Sequence, residues 1–244
     1  VTGTFLVNRQ TLIIQLITPQ LNIMNYNDFY QKSLENPELF WKEQADQIEW
    51  YAKATNILSK DKNDYPLWYA DGELNMCYLA LDKHIQDGFG DNIAMIYDSP
   101  VTQTIKKYTY QEVKTEVAKL AGGLLSLGLK KGETAVIYMP MIPQAAFAML
   151  ACARIGVTHS VVFGGFAPHE LAIRINDCKP RVIITASSGI EVDRLIAYKP
   201  LVDEAIKLAD TYINEKVVGK TSLEDCRHIA LATIYKVDVL ASWN

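Results

Sequence analysis

Two adjacent glycines, Gly164 and Gly165, follow the β-branched run Val161-Val162 and stand just before Ala167-Pro168, where a helix can open. The carboxyl end of a strand is where open α/β sheets bind ligands, and the amides of a following helix N-terminus can receive an anion. Yet Phe163-Gly-Gly-Phe-Ala-Pro168 is not G-x-G-x-x-G, and nothing in the chain matches G-x-x-x-x-G-K-[ST]. Pattern alone therefore favours a steric turn over a phosphate cradle, because glycine is common in tight turns. The second candidate is Arg194, which lies with Lys199 in residues 187–199, expected to be a loop after a strand. A guanidinium there could pair with a phosphate or stack on a nucleotide base. Taken by itself it reads as a solvated loop charge.

The other reactive side chains form no known constellation. Among His84, His159, His169 and His228 no two stand at i and i+4 with a glutamate between, which excludes a zincin. His159 falls inside an apolar strand and reads as a core histidine. No serine sits in G-x-S-x-G; Ala186-Ser-Ser-Gly189 only resembles one, which argues against an α/β-hydrolase elbow. Cys77, Cys152, Cys178 and Cys226 make no C-x-x-C pair and read as isolated thiols in a reducing compartment.

The elements that must position these residues are legible from Leu74 onward. Leu74, Tyr78, Leu81 and Ile85 form a one-sided helix expected to stop before Gly88. A strand at 92–97 and a partner at 102–108 suggest a hairpin. Thr109 with Glu112 makes a capping box for a helix whose apolar stripe is Val113, Val117, Leu120, Leu124 and Leu127, with Gly128 as its stop. The grammar then repeats. Strand 134–139 leads to a helix from Pro143 to Gly156, strand 158–163 to a helix from Pro168 to Asp177, and strand 181–186 to a helix over 200–209. Short apolar strands alternating with such helices imply βαβ units, hence an α/β fold with a doubly wound, mostly parallel sheet.

Ahead of this lies a different composition. Aromatic residues crowd 26–51, and Pro37 with Glu38 opens a helix there. Their irregular spacing suggests a helical arm on another surface, and residues 52–72 look like a connecting loop. Residues 1–23 contain no acid and one arginine, so they read as a leader or as sequence upstream of a start at Met24. A chain of 244 residues can form one large domain or two small ones and bury a core. Its 49% apolar and 21% charged residues are the balance of a globular protein. A net charge of −4 argues against an extended nucleic-acid surface, and no apolar run of 18 residues suggests a membrane span.

Four segments taken in order carry a resemblance: Tyr138-Met-Pro-Met-Ile-Pro143, Met149-Leu-Ala-Cys-Ala-Arg-Ile-Gly156, His159-Ser-Val-Val-Phe-Gly-Gly-Phe166 and Arg174-Ile-Asn-Asp177. They resemble the amino-terminal part of AMP-forming acyl-CoA synthetases of the acetyl-/propionyl-CoA synthetase group, over about residues 26–218. The resemblance implies an adenylating-enzyme amino-terminal domain behind a helical extension. It implies a reaction in which propionate or acetate attacks ATP, with Mg2+, to give an acyl-adenylate that CoA then cleaves. It places Glu191, Val192, Asp193 and Arg194 on the nucleotide part of CoA, with Arg194 on a phosphate, and Phe163, Gly164 and Gly165 near the pantetheine arm. Gly189-Ile-Glu191 and Tyr198-Lys-Pro200 are closer to the propionyl branch.

The expected organisation is a leader or artefact over 1–23, the extension over 24–85, an incomplete ligase domain over 86–218 and a divergent tail over 219–244. The family's Ser/Thr/Gly-rich, lysine-ended ATP loop does not occur in these residues, nor does its lysine-bearing small domain. The expectation is thus a fragment of a ligase with no catalytic residue or metal ligand of its own, inactive alone and prone to self-association through uncovered apolar surface. The alternative is a non-catalytic truncated product that binds CoA weakly or pairs with the full-length enzyme. Cytoplasmic location is expected, with the mitochondrial matrix as alternative.

Overall fold

The computed structural model of the chain describes residues 3–7, 10–14, 25–191, 194–214 and 231–232. It divides into two compact units, Val1–Glu73 and Leu74–Asn244. In the first, β1 (Gly3–Val7) and β2 (Gln10–Ile14) form an antiparallel hairpin. Two short helices follow, α1 (Tyr26–Glu35) and α2 (Pro37–Ala45), each started by an asparagine. Asn25 Oδ1 accepts from the Asp28 N–H at 3.0 Å, and Asn36 Oδ1 from the Leu39 N–H at 3.1 Å. These bonds satisfy amides that a helix start otherwise leaves unpaired. Buried Phe40 meets Phe29 and Trp41 edge-on at 4.7 and 5.2 Å between ring centres.

Within the expected loop 52–72 lies a small hairpin of β3 (Leu58–Lys60) and β4 (Pro66–Trp68). Three-residue strands show too little alternation to be read from sequence, and their Asn, Asp and Pro neighbours signal only a turn. Asp71 holds the segment, accepting from the Thr55 and Asn56 N–H groups at 3.1 and 3.0 Å.

In the second unit, the helix expected to end before Gly88 runs on. It is wound in π turns over Tyr78–Asp82 and Ile85–Phe89, and Gly88 sits inside it at φ 90°. Glycine alone takes that angle without steric cost, so the residue bends the helix where a stop was expected. Strands β5 (Ile93–Ser99) and β6 (Thr104–Thr109) pair as the expected hairpin. The capping box is present at the start of α3 (Tyr110–Ser126), whose Val113, Val117, Leu120 and Leu124 are buried while Leu127 is exposed. Then come β7 (Thr134–Met139), α4 (Pro143–Ile155), β8 (Thr158–Phe163), α5 (Pro168–Cys178) and β9 (Val182–Thr185). Within residues 187–199, expected as a loop, β10 (Ser188–Glu191) and β11 (Arg194–Ala197) pair as an antiparallel hairpin. The helix α6 (Tyr198–Asn214) and the short β12 (Leu231–Ala232) complete the unit.

The described central sheet has the order β12-β9-β7-β8, with every pairing parallel. Strand β7 is apolar on both sides, as a strand covered on two faces must be. Ala135, Ile137 and Met139 pack with α3 and α4 through Val117, Leu124, Ala148 and Ala151. Val136 and Tyr138 point the other way, onto Leu171 and Ile175 of α5 and Val202 and Ala205 of α6. The α/β, doubly wound parallel architecture expected from the sequence is thus present. From β7 the chain passes by α4 to β8 on one flank, then by α5 across to β9 on the other. The connection reverses direction between β7 and β9, which makes their carboxyl ends the switch point of the sheet.

Candidate functional site

A cavity of about 480 Å3 opens at this switch point. Met139 at the end of β7 with Pro140–Ile142 after it, Gly164 after β8 and Ser188–Ile190 in β10 contribute to its wall, together with the end of β5 and the turn that follows it, residues 97–102. The two helices that begin beside it, α4 and α5, are capped by Ile142 and Ala167, and neither cap supplies a side-chain hydrogen bond. In contrast α1, α2 and α3 are capped by Asn25, Asn36 and Thr109. Proline at the first position of α4 and α5 sets the helical φ without needing a donor. Ala145 and Glu170 donate back to the carbonyls of the cap residues Ile142 and Ala167 at 3.0 Å each, and the positive ends of two helix dipoles lie at the cavity end of the sheet.

The paired glycines divide their labour. Gly165 is exposed in the turn, whereas Gly164 is buried. A Cβ at Gly164 would collide with the Tyr198 hydroxyl and come within 2.8 Å of the Met139 carbonyl oxygen. The requirement for glycine there is steric and not a matter of positive φ, which occurs instead at Gly88, Gly128, Gly132 and Gly156. Phe163 ends β8 with its backbone in register with Met139.

Arg194 is exposed and stands opposite Glu191 across the β10–β11 hairpin. Val192 and Asp193, expected to contact a nucleotide, lie outside the described residues. The structure thus brings Gly164 to the same cavity as Ser188, Gly189 and Ile190, which precede Glu191 on its strand. Arg194 is on that hairpin, one strand further along, and does not form part of the cavity wall. The role of Pro140–Ile142 and of the 97–102 turn in building the wall went unread, although the two prolines directly after an apolar strand were a signal of a strand-end loop.

The remaining chemistry is structural. Half-buried His159 lies in β8, as expected; burial lowers its pKa and keeps the ring neutral at neutral pH. Burial pushes the Cys152 thiol up to about 12 and raises Cys77 as well, so neither supplies a thiolate. Asp82 is bridged by Arg154 and, at 3.0 Å, by Lys114, which ties the π-wound helix to α3 and α4. A second hollow of about 360 Å3 lies over Tyr108 and Phe147, beside Lys106 and Glu112. Among the described residues no group of histidine, cysteine and acidic side chains could hold a metal ion, and no helix is long and apolar enough to cross a membrane.

Two family models match the chain: AMP-binding enzyme over residues 83–232 and the acetyl-coenzyme A synthetase N-terminus over 26–80. The human mitochondrial acyl-CoA synthetase short-chain family member 3 is 53% identical over 183 residues, 75% of this chain and 27% of that protein. Acetyl-coenzyme A synthetase of Shewanella frigidimarina is 44% identical over 201 residues, 81% of this chain and 31% of that one. Acetoacetyl-CoA synthetase from Streptomyces lividans shares the fold, with a TM-score of 0.69 at 21% identity over 85% of this chain and 30% of that one. The chain therefore spans about three tenths of the length of the relatives it matches.

Proposed function

The chain belongs to the AMP-binding enzyme family, and from that premise we propose that it supplies the amino-terminal part of a short-chain acyl-CoA synthetase forming propionyl- or acetyl-CoA. The reaction joins the carboxylate to ATP with Mg2+ and releases pyrophosphate, and the CoA thiol then takes the acyl group from the adenylate and releases AMP. On this reading residues 24–85 are the helical extension, and the ligase α/β domain begins at 86. The observation that carries the site is the cavity at the switch point, walled by backbone at Gly164 and Gly189 and placed where open α/β sheets take ligands. Phe163, Gly164 and Gly165 would face the pantetheine arm of CoA. Glu191, Val192, Asp193 and Arg194 would meet its nucleotide end, with the Arg194 guanidinium on a phosphate.

The 244 residues contain no Ser/Thr/Gly-rich segment ending in lysine to clamp ATP phosphates, and adenylation depends on such an electrostatic clamp. We therefore expect this chain by itself to bind CoA without turning over. Calorimetric titration of CoA tests the reading. Arg194→Ala should weaken binding about tenfold, the size of one charge-assisted pair, and no heat up to millimolar CoA would end the CoA assignment. Release of pyrophosphate from ATP that depends on propionate and CoA would show instead that these residues are sufficient for the reaction. The non-catalytic alternative, a product that pairs with the full-length enzyme, predicts co-sedimentation with that enzyme. Cytoplasmic location, with the mitochondrial matrix as alternative, is decided by immunoblotting of cell fractions.

A further inference from the structure

We infer that Tyr198 is the positioning residue of the switch-point cavity: one buried ring sets the spacing of the three strand-end loops that wall it. The ligand named here, CoA, rests on the functional reading above; the geometry does not.

Tyr198 opens α6 and is fully buried. Its backbone N–H donates to the Ser187 carbonyl at 3.0 Å, which joins it to the loop after β9. Its ring lies 5.1 Å from that of Tyr138 on β7. The Tyr138 hydroxyl in turn donates to the Phe166 carbonyl at 2.7 Å, which ties the turn after β8 to the same pair. The two glycines of the cavity wall complete the arrangement. A Cβ at Gly164 would strike the Tyr198 hydroxyl, and one at Gly189 would approach the Tyr198 ring to 2.9 Å and the Pro140 ring to 3.0 Å. Neither glycine has a positive φ, so both are glycine because of what stands beside them. The loops after β8 and β9 therefore meet this one side chain at Gly164 and Gly189, and the loop after β7 joins them through Pro140, whose ring stands against Gly189.

Tyr198 is not itself part of the cavity wall. It acts through the backbone of Gly164 and Gly189, which leaves two stretches of wall without side chains. The support of that wall is rigid, because α6 packs on the sheet through Val202 and Ala205 beside α5, and a site holds its geometry best when built on such elements.

The test uses the 244-residue chain and two readouts, hydrogen exchange of residues 139–142, 164–166 and 187–190, and CoA dissociation by calorimetry. Tyr198→Leu should speed exchange in all three loops together, leave the β7 and α4 amides protected, and weaken CoA at least tenfold. Tyr198→Phe, which keeps the ring, should restore most of both. Should the leucine variant not fold, a second pair decides. Gly164→Ala alone should loosen all three loops, and Gly164→Ala with Tyr198→Phe should recover part of the lost affinity, because the colliding hydroxyl is gone while the contact with the Met139 carbonyl oxygen at 2.8 Å remains. Faster exchange confined to one loop, or effects of the two substitutions that simply add, would overturn the positioning role. If the unaltered chain binds no CoA, the ligand assignment fails, and the exchange pattern alone still upholds or refutes the role of Tyr198.

Discussion

Asp82 is only 8% exposed, and its carboxylate meets the Arg154 guanidinium and the Lys114 ammonium. Burial pushes its pKa up, but hydrogen bonds first from Arg154 and then from Lys114 outweigh this and hold it below its ordinary 3.8. A carboxylate with a depressed folded-state pKa stabilises the fold above the unfolded value and loses that contribution as pH falls through the folded one. Asp82→Asn leaves two cations without their partner in a largely buried setting, so a loss of about 3 kcal/mol is expected at pH 7. The gap between parent and variant should narrow below pH 3.8. Urea melts at pH 7 and in that acid range check this, and an equal gap at both would show that the ion pairs are not its source. The same scale explains the glycine pair: Gly164 is required by a neighbour, and Gly165 is not buried at all.

The element scale is ruled by caps. In α3 the Glu112 N–H donates to Thr109 Oγ1 at 3.2 Å, and the Thr109 N–H donates to Glu112 Oε2 at 2.8 Å. Thr109→Ala removes one half of this box and should cost about 1 kcal/mol, lowering the melting temperature by roughly 2–4 °C for a unit of this size. Differential scanning calorimetry reads that shift, and an unchanged melt would mean that tertiary packing alone holds the helix start. Helices with such punctuation were legible in advance: Pro143 and Gly156 bound α4, and Pro168 opens α5. The hairpins β3–β4 and β10–β11 were not, because their strands have three or four residues and too little alternation to separate them from loop. The π-wound helix misled in the opposite sense, with Gly88 absorbed inside it.

At the scale of the molecule, apolar surface and net charge oppose each other. Met141, Leu195 and Ile105 are 82%, 75% and 69% exposed, and a net charge of −4 offers modest repulsion. Strand β8 also ends the described sheet with one edge unpaired. We expect the isolated chain to self-associate at micromolar concentration, with the weight-average mass in sedimentation velocity rising with loading. A single monomeric species across that range would contradict it.

The sequence by itself determined what depends on neighbours within a few residues. From Leu74 onward it set the main strands and helices and most of their caps, though not the β10–β11 hairpin or the course of the helix at Gly88, and it set that the result is a doubly wound α/β sheet. Its quoted segments also pointed to the AMP-forming synthetases. Backbone angles, capping bonds and alternation are short-range, so their signals are written locally. The order β12-β9-β7-β8, and with it the cavity at the switch point, was decided only by the tertiary structure, because which strand lies beside which depends on where the helices pack. So was the reason for Gly164 and Gly189: Tyr198 crowds both, its hydroxyl together with the Met139 carbonyl at Gly164 and its ring together with Pro140 at Gly189, and it is brought to them by the packing of α6 on the sheet.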